Sequence, residues 1–111
     1  MKKFLVLYRS SIPASEMMSA STPEQMQAGM EEWNRWSQKA GSAIVDLGSP
    51  LGVSETVGGA SVSIDAGITG FSLLQAESLG DARKLVDDHP HLKTPGVSSI
   101  TVLEFLPIPG M

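Results

Sequence analysis

The stretch 69–90, TGFSLLQAESLGDARKLVDDHP, decides the fold. Its first part, 69–77, carries Phe71, Leu73 and Leu74 in a short apolar run and reads as a strand. Ser78 then caps a helix, with Asp81 three residues later. That is capping-box spacing, with Asp in place of the usual Glu or Gln. Leu79, Ala82, Leu85 and Val86 fall on one helical face. Pro90 disfavours helix at His89 and ends the run.

Upstream, 3–8 (KFLVLY) is a strand apolar on both faces, with Phe4, Val6 and Tyr8 opposite Lys3, Leu5 and Leu7. Such strands are usually covered on both sides. Residues 10–22, rich in Ser, Ala and Pro, read as a loop. Thr22-Pro23-Glu24-Gln25 starts a helix: Thr22 caps, Pro23 suits the first helical position and Gln25 completes a capping box. Met26, Met30, Trp33, Ser37 and Ala40 share a face, and Gly41 ends the helix. Residues 43–47 (AIVDL) form a second strand, stopped by Gly48-Ser49-Pro50. Within 48–67, SETVGGASVSID predicts a hairpin turning at Gly58-Gly59. Residues 98–106 (SSITVLEFL) are the last strand, ended by Pro107 and Pro109.

The order is βαββαβ, an α+β ferredoxin-like arrangement: a four-stranded antiparallel sheet, an inserted hairpin and two helices on one face. The last strand has Ile100, Val102 and Leu106 on one side and Leu103 and Phe105 on the other. The face away from the helices is therefore also apolar, and a two-fold homodimer packed through the sheet faces is the simplest way to cover it.

Length and composition bound the partners. A chain of 111 residues suffices for one domain, 1–111. The charged fraction of 18% argues against a disordered chain, and the net charge of -4 leaves no cation surplus to track nucleic acid. No cysteine is present, which excludes disulfides, thiolate catalysis and thiolate metal sites. The apolar start of the chain is broken by Tyr8 and Arg9 without a closely following cleavage site, and no apolar run is long enough to span a membrane. A cytoplasmic protein without membrane partners is the expectation.

KKFLVLY, TPEQM, AGSAIVDLGSPLG, ITGFSLLQAESLGDARKLVDDHPHL and ITVLEFLPIPGM together resemble the YCII-related proteins, members of the dimeric α/β-barrel superfamily. The block G-F-S-L-L-Q-A-E-S-L-x-D-A followed by H-P is the most specific part. The resemblance implies a homodimer with a cleft between sheet and helices. It also implies that prototype members carry a His–Asp pair with the His on the first helix, and that a few relatives act on small aromatic or lactone-like molecules by acid–base chemistry. One branch, associated with sigma-factor regulation, carries a DGPF motif. Here the matching stretch is Ile64-Asp65-Ala66-Gly67-Ile68-Thr69, and the position of the helical His falls at or near Trp33. That dyad therefore does not carry over.

Both histidines lie in Asp87-Asp88-His89-Pro90-His91. His89 continues the apolar stripe of Leu85 and Val86 and is expected to point inward. A helix C-terminus there favours imidazolium. It is either a general acid–base group or a residue bracing the turn, and the bracing reading is favoured. His91, past the proline, is expected to be exposed. A metal site needs three or four convergent ligands. His89, His91 and one aspartate fall short of a supported set, so no metal and no cofactor is expected.

Asp46 and Glu104 interrupt apolar strands and need partners, for which Arg9 is a candidate. They read either as structural ion pairs, which is favoured, or as the carboxylate that orients His89. The candidate catalytic set is thus His89 with Asp46 or Glu104. Trp33 reads as core, whereas for Trp36, at the edge of the stripe, pocket lining or dimer contact is close to even with core. Trp33, Trp36, Tyr8, Arg9 and His91 are the candidate ligand-binding residues. Two functions follow from these: a small-molecule-binding or regulatory homodimer taking a small apolar or aromatic ligand, or a cofactor-free lyase or isomerase based on His89.

Overall fold

The computed structural model describes residues 1–55, 57–58 and 67–110. Its strands are β1 (Lys2–Ser10), β2 (Ile44–Pro50), β3 (Ile68–Ala76) and β4 (Ser98–Glu104). Its helices are α1 (Ala14–Ala20), α2 (Pro23–Ala40) and α3 (Leu79–Val86), with short 3-10 turns at Gly41–Ala43 and Pro90–Lys93. The strands form one antiparallel sheet in the order β2-β3-β1-β4. Apart from the added α1, this is the ferredoxin-like βαββαβ topology. The hairpin expected within 54–65 falls for the most part outside the described residues.

The caps explain where the two long helices begin. Thr22 Oγ1 accepts from Gln25 N–H at 3.1 Å while the Gln25 side chain accepts from Thr22 N–H at 2.9 Å, a full capping box. Ser78 Oγ accepts from Asp81 N–H at 3.1 Å. Gly41, at φ 57°, closes α2 by donating its N–H to Ser37.

The sheet alternates by side-chain parity. Phe4, Val6, Tyr8 and Ser10 of β1 and Gly70, Ser72, Leu74 and Ala76 of β3 are buried under the helices. Trp36, Ala82 and Val86 close that core from above. On the other face, cross-strand pairing lines up Leu73, Leu5 and Leu103, then Phe71, Leu7 and Thr101. These are only half-buried, and Leu103 is 46% and Phe105 48% exposed.

Four local expectations need correction. Residues 14–20, read as loop, form α1, which buries no residue completely. β2 does not stop at Leu47 but runs to Pro50, which an edge strand tolerates because one side of its backbone needs no partner. Gly48 makes this possible. Its φ is 87°, and a Cβ there would lie 1.7 Å from Phe71 O. β4 ends at Glu104, leaving Leu106 exposed. Met26 and Met30 do not pack on the core, because the first half of α2 stands clear of the sheet.

Candidate functional site

Pro90 decides where both histidines go. It holds His89 extended, at φ -62° and ψ 139°, so α3 has ended and His89 becomes the cap of the turn Pro90–Lys93. His89 Nδ1 accepts from His91 N–H at 2.9 Å. An imidazole nitrogen that accepts carries no proton, so the ring's proton sits on Nε2. His89 is fully buried, and its Nε2 is the one buried side-chain polar atom without a partner among the described residues.

Three aromatic rings enclose His89. The ring centroids of Trp36, Trp33 and Tyr8 lie 4.3, 4.4 and 4.8 Å from its own, and both tryptophans approach edge to face. Trp36 Nε1 donates to Leu85 O at 2.8 Å, which fixes the box against α3. Burial is the main reason the His89 pKa is pushed down to about 3. His91 adds to the shift, and Asp88 opposes it weakly. The helix-terminus preference for imidazolium is outweighed by desolvation, and His89 is neutral at physiological pH.

The carboxylates lie elsewhere. Asp46, exposed on edge strand β2, accepts from Gly48 N–H at 2.8 Å. Glu104, on the opposite edge strand β4, pairs with Lys2 at 3.2 Å. Neither hydrogen-bonds His89. Asp88 pairs with Lys39 at the surface, and this holds its carboxyl below the usual range. Arg9 donates from Nε to Thr101 Oγ1 at 3.1 Å. No group of three or more His, Asp or Glu side chains positioned to hold a metal ion occurs among the described residues.

Beside the box opens a cavity of about 370 Å³. Tyr8 and Ser10 form its floor, Met30, Trp33 and Asn34 of α2 one wall, and Leu47–Pro50 with Thr69–Phe71 the other. α1 contributes Ala14, Met17 and Met18, and the turn after α3 contributes His91 and Thr94. The volume is that of a small-molecule site, and unbranched methionines adapt to varied shapes. A chain of hydrogen bonds fixes the floor. The Tyr8 hydroxyl donates to Ser72 Oγ at 2.8 Å, and Ser72 in turn donates to Leu47 O. Burial pushes Tyr8 up to about 12, so it remains a phenol and not a proton acceptor.

His91 was expected to be exposed and is 7% exposed. The 3-10 turn folds it back onto the sheet, where its Nε2 meets Arg9 O at 2.7 Å. Trp36 is core, because its N–H reaches the Leu85 carbonyl, whereas Trp33 packs on that core, as expected, and also lines the cavity. Of the other candidates, Tyr8 and His91 line the cavity, whereas Arg9, Asp46 and Glu104 are not among its lining residues. Met17, Met18, Met30 and Leu47 were not anticipated at a site. The signals were the Met17-Met18 pair in a polar stretch and the place of Met30 on the helical face of Trp33.

No protein-family model matches the sequence, and the search of curated proteins gives no significant match. Among solved structures, a similar chain is the 5-chloro-2-hydroxyhydroquinone dehydrochlorinase from Burkholderia phenoliruptrix AC1100, in complex with 2,5-dihydroxybenzoquinone. The identity is 18% and the TM-score 0.49, over 94% of this chain and 93% of that one. No helix among the described residues is long and apolar enough to cross a membrane.

Proposed function

We propose that this chain is a single YCII-related domain, 1–111, that acts as a homodimer and binds a small, flat, largely apolar molecule. The cavity of about 370 Å³ walled by Trp33, Tyr8 and three methionines carries this reading. Its size and apolar lining are those of a ligand site, and its few polar groups suffice to orient one molecule. The half-exposed row Leu5, Leu73 and Leu103, with Phe71 and Phe105, supports the dimer as a face-to-face pairing of sheets, because a patch of this kind is seldom left wet.

A catalytic reading has one point in its favour. His91 borders the cavity, and its Nε2 is held by the Arg9 carbonyl, so a lyase or isomerase would work through His91 and not His89. The binding reading asks less of the molecule and is preferred.

An NMR screen with flat apolar fragments tests it. Shifts are expected to gather on the methyls of Met17, Met18 and Met30 and on the Trp33 indole. Shifts confined to the open sheet face, or none, would contradict the reading. Light scattering tests the dimer. The wild type is expected at twice the monomer mass, and Leu103→Glu at the monomer mass.

A further inference from the structure

The cavity's lining residues and the hydrogen bonding of His91 narrow the kind of molecule that fits, on the premise that the cavity is a ligand site. None of the described lining residues is an Asp, Glu, Lys or Arg. A ligand with a formal charge would leave water for a site that offers no counter-charge.

The polar group best placed to read a ligand is His91. Its Nε2 lies 2.7 Å from Arg9 O, and a carbonyl oxygen only accepts, so Nε2 carries a proton. On a ring that carries a single proton, Nδ1 therefore presents a lone pair. Nδ1 makes no hydrogen bond with any described residue. It is also not sealed, since the one buried and unpaired side-chain polar atom among the described residues is His89 Nε2. His91 is one of the residues that line the cavity.

The ring is held in place on several sides. His91 N–H donates to His89 Nδ1, the His91 carbonyl accepts from Thr94 Oγ1 at 2.7 Å, and the ring stands 5.3 Å from that of Tyr8. An acceptor fixed in this way costs little ordering when a donor meets it.

We infer that the cavity selects an uncharged, flat molecule bearing a hydrogen-bond donor, and that His91 Nδ1 is the acceptor that reads this donor. A molecule of the same shape without the donor leaves Nδ1 unpaired in the complex.

Indole, its isostere benzofuran, which lacks the N–H, and indole-3-carboxylate separate the possibilities when titrated by NMR. Indole is expected to bind at least about fivefold tighter than benzofuran, which is the worth of one hydrogen bond, and the carboxylate is expected to bind weakest. In His91→Phe, indole and benzofuran are expected to bind alike. If that variant does not fold, the wild-type His91 Nδ1 nitrogen resonance decides: it moves with indole and stays with benzofuran. Equal affinities in the wild type, a tightly bound carboxylate or an unmoved Nδ1 would overturn this inference while leaving the cavity reading standing. No shift at the cavity with any probe would overturn both.

Discussion

Two histidines two residues apart sit in two different environments. The box around His89 is closed: three aromatic rings face it, one ring nitrogen caps a turn and the other meets no polar atom among the described residues. The cavity beside His91 is open, lined by methionines and by the ends of β2 and β3. Tyr8 and Trp33 belong to both regions, so one wall serves as core on one side and as binding surface on the other. The comparison teaches that an inward-pointing histidine is not by that fact a catalytic one. Desolvation removes its basicity in the neutral range, and the useful nitrogen belongs to the residue placed at the boundary.

Emptying the closed side should cost most. Trp36→Ala removes a buried ring and leaves the Leu85 carbonyl without its donor. A loss of about 3–5 kcal/mol is expected by denaturant unfolding. A loss under about 1 kcal/mol would mean the box is not core.

The second effect is on pH. The folded-state pKa of His89 lies below its unfolded value of about 6.5, so the native state binds fewer protons than the unfolded state. The stabilisation from a neutral His89 is complete above pH ~6.5 and declines as pH falls toward about 3, by up to ~1.4 kcal/mol per pH unit. His89→Gln should flatten that slope in unfolding measured across the acid range. An unchanged slope would assign it to other groups.

A smaller loss should follow at the shared wall. Tyr8→Phe keeps the ring and removes only the bond to Ser72, for about 0.5–1.5 kcal/mol. On the open side, Met30→Ala, at a position 62% exposed, should change stability by less than ~0.5 kcal/mol while weakening fragment binding. The reverse pattern at Met30, stability lost and binding kept, would make it core.

The strand and helix order was legible because local rules agreed with one another: two caps at Thr22 and Ser78, a terminating Pro90 and strands of the right length. What was not legible depended on contacts between distant segments. That Trp36 joined the core turned on its indole reaching the Leu85 carbonyl, 49 residues away. The burial of His91 turned on the Arg9 carbonyl, 82 residues away. α1 was hidden because its residues, rich in Ser and Met, bury no face completely and so show no clean stripe. The cavity follows from that same helix, which closes a space no single segment defines.

The most direct test of the closed and open division is the protonation of His89, read from its imidazole nitrogen and carbon resonances as pH falls. The expected ring has its proton on Nε2, stays neutral through the ordinary histidine range of about 6.5 and gains a second proton only as pH falls toward about 3. A midpoint in that ordinary range in the folded protein, with Nδ1 protonated, would contradict the closed box and return His89 to the list of acid–base groups.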